Sequence, residues 1–190
     1  MPFTGTDLKT LAQAEIDDSL EDVDIIQNVN ACLLEFAELF RKTATQSITV
    51  TDTNAFITRT DGHLFVVKIT DSGGNNYNGE WEVSHDRAQI RIGETGTFTV
   101  TSLIIPTFIT AIGNTIGVHD VFRLGMSRYI GGLFKSKDND LNPDGLRMKA
   151  EGAGLLNRAS NLLVNNDRKP GQRVPTKRSA GAWTELGSLK

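Results

Sequence analysis

Hydrophobic and polar positions repeat with two different periods, which divide the chain into helical, strand and helical regions. Between Glu21 and Lys42, apolar residues recur at steps of three and four: Ile26, Val29, Leu33, Phe36, Ala37 and Phe40. This spacing is typical of a helix with one face against a core. An acidic first turn and a basic last turn suit the helix dipole. We predict a helix from Glu21 to Lys42, preceded by a short helix from about Asp7 to Asp18.

From Gln46 the period changes to two. The alternating, β-branched segments are Ser47–Thr51, His63–Thr70, Tyr77–Ser84, Arg87–Ile92 and Thr97–Ser102. Turn residues separate these segments, and the connections are too short for parallel crossovers. The pattern therefore predicts a small antiparallel meander of about five strands.

The segment Ile104–Val118 is apolar but is interrupted by Pro106, Gly113 and Gly117. Two interpretations remain open for it. It is either a loop that covers the sheet or a surface that is buried only in an oligomer.

Two further helices follow this segment. The first covers about Val118–Lys135, and its Gly131-Gly132 pair indicates close approach of a neighbouring helix. The second begins where Asn142 caps and Pro143 opens a helix, and it ends near residue 166. We therefore predict an α+β fold. The N-terminal helices and a C-terminal helical hairpin form a helix bundle, with the β meander inserted between them.

The last 24 residues, 167–190, lack an apolar period and contain two prolines and three glycines, so they cannot form a core of their own. They nevertheless contain Trp183 and Leu186. Six basic and two acidic residues give this arm a net charge of +4, whereas the whole chain is −3, so residues 1–166 carry −7. We expect an extended C-terminal arm that docks on an acidic partner, including another copy of this chain. The residues predicted to dock are Arg173, Lys177, Arg178, Trp183 and Leu186.

Length and composition predict one domain over residues 1–166, with helices at about 6–42 and 118–165 and a β insertion at about 46–102. The single Cys32 excludes an intrachain disulfide. Neither a signal peptide nor an apolar run long enough for a membrane span is visible. We expect a protein of the cytoplasm or of a particle assembled there.

Residue patterns typical of catalysis are scarce. His63, His85 and His119 lack metal-ligand spacing with one another or with Cys32, and there is neither a phosphate-binding glycine loop nor a GxSxG motif. The arm contains basic residues but a single aromatic, and no motif that reads a DNA groove is present. We therefore expect neither an enzyme, nor a cofactor, nor sequence-specific DNA binding.

One segment fits a metal-binding template. Asp140, Asn142, Asp144 and Glu151 occupy positions 1, 3, 5 and 12 of the calcium-loop pattern, with Gly145 at position 6. Pro143 at position 4 and Arg147 at position 8 are atypical, and the capped helix start explains Asn142, Pro143 and Asp144 equally well. A small calcium-binding interaction module is therefore the alternative function.

The order of these elements resembles a known family. The helix pattern VNACLLEFAELF, the small meander and the segment VHDVFRLGMSRYIGGLFKSKDNDLNPDGLRMKAEGAGLLNRA are similar to adaptor, or head–tail connector, proteins of tailed bacteriophages. The closing helical hairpin carries most of the resemblance, with residues 117–119 matching the segment after the sheet and Asn142-Pro143-Asp144 matching the polar turn before the long last helix. The resemblance covers about residues 6–165.

The resemblance implies a structural role in the virion neck, with assembly in the host cytoplasm. Adaptors of this family form a ring, commonly of about twelve copies, below the portal protein and extend the DNA channel towards the tail or nozzle. Their C-terminal segments commonly reach the portal, which suggests this role for residues 167–190. An acidic channel wall would let DNA pass without sticking. A tail-completion protein is a further alternative within the phage context.

Overall fold

A computed structural model describes residues 2–16, 18–60, 63–137 and 141–166, and it describes the backbone alone at 165 and 166. Within these residues the fold is α+β, with five α-helices and two three-stranded antiparallel sheets. The helices are α1 (Gly5–Ile16), α2 (Asp22–Glu35), α3 (Ala37–Phe40), α4 (Arg123–Lys135) and α5 (Pro143–Asn166). The strands are β1 (Thr43–Val50), β2 (Ile57–Thr58), β3 (His63–Thr70), β4 (Trp81–Val83), β5 (Gln89–Ile92) and β6 (Gly96–Ile104).

Helix α4 lies at the centre of the helical layer, between α5 on one side and α1 and α2 on the other. Glycines let α4 and α5 touch through their backbones. A Cβ at Gly132 would lie 2.6 Å from the amide nitrogen of Lys149, and a Cβ at Gly152 would lie 2.5 Å from that of Tyr129. The close helix approach predicted from Gly131-Gly132 is confirmed.

The long helix predicted from Glu21 to Lys42 is interrupted at Phe36. Its backbone angles, φ −106° and ψ 20°, depart from helical values, so α2 ends at Glu35 and α3 begins at Ala37. The break lets two aromatic pairs form. Phe36 packs edge-on to Tyr129 at 4.9 Å between ring centroids, and Phe40 packs edge-on to Phe122 at 5.0 Å.

The strand order is β1-β6-β3 in one sheet and β2-β5-β4 in the other. Ile48 pairs with Phe98 and Ile69 pairs with Val100, so the alternating residues of three strands face one core. The connection from β3 to β4, which leads from one sheet to the other, is fixed where the Tyr77 amide donates to the Ile69 carbonyl oxygen over 2.9 Å. A second link runs from the Gln46 side chain to the backbones of Thr58 and Thr60.

The predicted fold class is therefore wrong in its β region, because the strands do not form a single five-stranded meander. In a meander β3 would have β4 as its sheet neighbour, but β3 pairs with β6 instead. Strand β6 offers buried Phe98, Val100 and Ser102, whereas β4 is short and largely exposed. The entropic cost of closing a loop grows slowly with its length. The better apolar match of β3 with β6 therefore outweighs the shorter connection from β3 to β4.

Two hydrophobic clusters are separate in space. The helical cluster contains, among others, Leu8, Ile25, Leu33, Met126 and Leu156. The β cluster contains Ile48, Val50, Ile69, Ile90, Ile92, Phe98 and Val100. The protein therefore has one core between its helices and a second core between its two sheets.

The apolar segment 104–118 belongs to the helical layer and does not cover the sheet. Ile109 and Ile116 are buried in the helical cluster of the same chain. The Ile116 amide donates to the Phe3 carbonyl oxygen over 2.9 Å, and the Thr6 amide donates to the Ile112 carbonyl oxygen, also over 2.9 Å. The segment is thus anchored within the chain by its buried residues Ile109 and Ile116, whereas much of the rest of it is exposed.

Two predicted features lie outside the described residues. One is the connection at 138–140, on which the predicted C-terminal hairpin depends. The other is the arm at 167–190.

Candidate interaction surface

On the side of α2 that faces away from the core, exposed apolar residues form a second stripe, which Gln27 and Asn30 interrupt. Val23 is 63% exposed and Leu34 is 55% exposed. They are eleven residues apart, which brings them to nearly the same side of the helix after three turns. Ala31, between them, is also exposed. Exposed apolar side chains grouped on one helix face are typical of an interaction surface.

Asn30 fixes a further apolar side chain beside this stripe. Its Nδ2 donates to the Ile109 carbonyl oxygen over 2.9 Å, and its Oδ1 accepts from the Ile109 amide over 2.9 Å. The preceding residue, Phe108, is therefore held next to α2 and is 46% exposed. We call Val23, Ala31, Leu34 and Phe108 the α2 surface. Within the described part of the chain, no residue covers it.

The surroundings of the α2 surface are acidic. From Glu21 to Phe40 the chain has five carboxylates and no basic residue: Glu21, Asp22, Asp24, Glu35 and Glu38. Two are in ion pairs, Asp22 with Lys9 at 2.6 Å and Asp24 with Lys137 at 2.8 Å. Glu21 and Glu38 are exposed and have no ion-pair partner among the described residues. A partner for this surface should therefore combine apolar side chains with positive charge.

A partly buried polar contact holds α2 to α4. The Tyr129 hydroxyl donates to Glu35, and burial together with this bond raises the pKa of Tyr129. Burial and the nearby Glu35 charge also raise the pKa of the Cys32 thiol. Both groups therefore stay neutral at physiological pH, so neither is an activated nucleophile. Their role is to support the helix packing.

Arg128 fixes the relative positions of three helices. From α4 it reaches Glu15 of α1 at 2.9 Å and Glu151 of α5 at 2.6 Å. The bonds to both carboxylates raise the pKa of Arg128, which keeps it charged. Such a bridged arrangement has more geometric specificity than a single surface ion pair. It gives α2, which packs on α4, a stable support.

Three of the four residues of the calcium template can be located. Asn142 caps α5, because its Oδ1 accepts from the amides of Asp144 at 3.0 Å and Gly145 at 3.2 Å. Glu151 lies within α5 and is bound to Arg128, and Asp144 is bound to Arg147 at 3.3 Å. Asp140 lies outside the described residues. The segment 142–151 is therefore a capped helix start, and in the described residues no three acidic, His or Cys side chains form a metal cluster.

The predicted docking residues Arg173, Lys177, Arg178, Trp183 and Leu186 lie outside the described residues. The three histidines lie on different elements of the structure. His63 begins β3, His85 lies in the turn between β4 and β5, and the Nδ1 of His119 accepts from the Val121 amide at 3.2 Å.

Sequence reasoning missed Asn30 and Phe108, which need the tertiary contact to be recognised. It also missed the exposed stripe, although one sign of it was available. Val23 and Leu34 lie outside the stripe of apolar residues that was assigned to the core. Large apolar residues out of phase with the core-facing stripe indicate a second, external contact.

A scan of known protein families and a search of curated proteins found no match to this sequence. In the part of the chain that the structure describes, no helix combines the length and apolar character needed to cross a bilayer.

Proposed function

We propose that this protein is a structural adaptor, or head–tail connector, in the neck of a tailed bacteriophage. The observation that carries the proposal is the α2 surface, an apolar helix face with an acidic rim that the described residues leave uncovered. The resemblance of the helical segments Val29–Phe40 and Val118–Ala159 to phage adaptors supports the same role. In this role the protein is an assembly component of the virion and not an enzyme.

The proposed mechanism is the closure of a ring below the portal. A ring requires a head-to-tail contact, in which one surface of a copy meets a different surface of the next copy. The α2 surface supplies one of these two surfaces. The ring extends the DNA channel and connects the capsid to the tail, nozzle or other neck proteins, and DNA passes through it without sequence-specific contacts.

In the assembled neck, the C-terminal arm of each copy docks on the portal protein. The support is its composition: Arg173, Lys177 and Arg178 provide positive charge, and Trp183 and Leu186 provide apolar anchors. Docking of many arms on one symmetric partner would multiply weak individual contacts. The arm therefore adds avidity to the joint between ring and portal.

Native mass spectrometry of the protein, alone and with its candidate portal, tests the proposal. We expect a ring of many copies, either alone or on the portal. Leu34→Glu should prevent the ring, because it places a charge in the apolar contact. Val67→Glu is the matched control, because Val67 is 58% exposed on β3, away from α2.

Truncation after Asn166 separates the two contacts. The truncated protein should stay folded and lose portal binding, whereas Leu34→Glu should keep its arm and lose ring closure. A chain that stays monomeric with the portal present and does not bind it would refute the proposed function.

A further inference from the structure

We propose that in the free protein the C-terminal arm, residues 168–190, covers the α2 surface of its own chain. The inference goes beyond the proposed function and does not depend on a portal, because it concerns the protein before it meets any partner. It is carried by the complementary charges of the two segments and by the length of the arm, and the contact of α5 with α3 is consistent with it.

The charges of the two segments are complementary. From Glu21 to Phe40 the chain has five acidic residues and no basic one, whereas residues 168–190 have six basic residues and one acidic residue. The apolar content also matches. The α2 surface exposes Val23, Leu34 and Phe108, and the arm contains Trp183 and Leu186. Such a pairing combines attraction between opposite charges with apolar burial.

Helix α5, which precedes the arm, contacts the short helix α3 at the end of the acidic segment. Near the C-terminal end of α5, the Ser160 hydroxyl lies 3.4 Å from the Nε of Arg41, which directly follows α3. Helix α3 in turn follows α2 after one residue. The C-terminal half of α5 therefore lies close to α3, the helix that contains Glu38.

The arm is long enough to reach every part of the α2 surface. Trp183 is 17 residues beyond Asn166, which corresponds to roughly 55 Å of extended chain. Val23 and Leu34 are eleven residues apart, or about 16 Å along a helix. A tether of this kind gives an effective concentration of the order of 1 mM, so a contact with a dissociation constant of about 0.1 mM would be about 90% formed.

This contact would have a consequence for assembly. The α2 surface would be covered in the free protein and uncovered when the arm binds elsewhere. Under the proposed function, the portal captures the arms and thereby releases the surface for ring closure. Assembly would then begin at the portal and not in free solution.

The fluorescence of Trp183 in the full-length protein tests the inference. The chain has two tryptophans, so a Trp81→Phe background leaves Trp183 as the only emitter. We expect acrylamide to quench Trp183 weakly. In Leu34→Glu the bound fraction should fall from about 90% to below one half, which raises the quenching slope about fivefold. Val67→Glu should leave the slope unchanged.

Two further measurements make the result decisive. Glu38→Lys, a surface change that leaves the apolar residues intact, should also raise the acrylamide quenching slope of Trp183. Added salt should raise the slope as well, because it screens the attraction between the two charged segments. The slope should be independent of protein concentration, as expected for a contact within one chain. Equal slopes in Leu34→Glu and Val67→Glu would overturn the inference. Shielding that grows with concentration would also overturn it, because the arm would then lie on a second copy.

Discussion

At the scale of single residues, Asn30 shows how one polar side chain positions an apolar one. Its amide satisfies both backbone groups of Ile109 over 2.9 Å each, in a segment that has no regular secondary structure. Buried backbone groups must find partners, and here a side chain supplies them. Because the backbone of Ile109 is fixed, the neighbouring Phe108 is placed beside α2, where its side chain is exposed.

Arg59 and His63 form an unusual pair of residues next to the β core. Arg59 is 3% exposed, and its Nη1 and Nη2 donate to the Arg87 carbonyl oxygen and the Ser102 hydroxyl over 3.0 Å each. The Nε of Arg59 and the buried Nδ1 of His63 have no hydrogen-bond partner among the described residues. Burial first, and the charge of Arg59 second, lower the pKa of His63.

This lowered pKa predicts a loss of stability in mild acid. The unfolded chain binds a proton at His63 near pH 6.5, whereas the folded protein binds it only at lower pH. Stability that is present above about pH 6.5 is therefore lost as the pH falls through this value towards the folded pKa. Urea unfolding at several pH values should show this loss.

His63→Gln should reduce the pH dependence of the free energy of unfolding, because the glutamine side chain does not titrate. The control is His85→Gln, in the turn between β4 and β5, which should keep the wild-type dependence. If His63→Gln loses as much stability in acid as the wild type, His63 is not the group responsible.

At the scale of secondary structure elements, contact between α4 and α5 depends on residues without side chains. Gly125, Gly131, Gly132, Gly145 and Gly152 all lie where a Cβ would approach a neighbour within 3.0 Å. Glycine inside a helix costs about 1 kcal/mol relative to alanine, and close backbone packing offsets this cost. The helices are therefore matched by shape as well as by apolar area.

Gly132→Ala should destabilise the protein by about 1–3 kcal/mol, because its Cβ would overlap the backbone of α5. The new Cβ would lie 2.6 Å from the Lys149 nitrogen and 2.8 Å from the Gly145 oxygen. Gly154→Ala, also in a helix but with no atom within 4 Å of its Cβ, should stabilise it by about 0.5–1 kcal/mol. The urea concentrations at the midpoints of unfolding report the stability of both variants. Equal changes in stability for Gly132→Ala and Gly154→Ala would contradict the packing argument.

At the scale of the whole molecule, the two hydrophobic clusters suggest two units of stability. The β cluster lies between the sheets and the helical cluster lies between the helices. The chain passes from one to the other through β1 and β6, which are paired antiparallel from Thr43 and Leu103 onward. Regions with separate cores can open separately, with free energies below that of global unfolding.

Ile90→Ala and Leu156→Ala test this separation, since both side chains are fully buried, one in each cluster. Each should cost about 2–5 kcal/mol in its own core. Amide hydrogen exchange should accelerate mainly in β1, β3, β5 and β6 for Ile90→Ala, and mainly in α4 and α5 for Leu156→Ala. Uniform acceleration in both variants would show that the protein opens as one unit.

The local patterns of the sequence determined much of the helical layer. The stripe of α2, the Asn142-Pro143 start of α5 and the Gly131-Gly132 contact follow from helical period, capping and glycine spacing, which act over a few residues. The existence of antiparallel strands between the helices followed from alternation in the same way. The single-domain division, the arm and the phage role remain predictions.

Only the tertiary structure decided which strands pair and which surface stays exposed. Strand β6 lies between β1 and β3 because the buried sides of all three strands match, and alternation within one strand cannot specify a distant neighbour. The interruption of the second helix at Phe36 accompanies the edge-on packing of this ring against Tyr129, which is distant in the sequence. The burial of Ile109 beside an exposed Phe108 likewise depends on Asn30, 79 residues earlier in the chain. Contacts between distant residues set these features, and no short-range pattern encodes them.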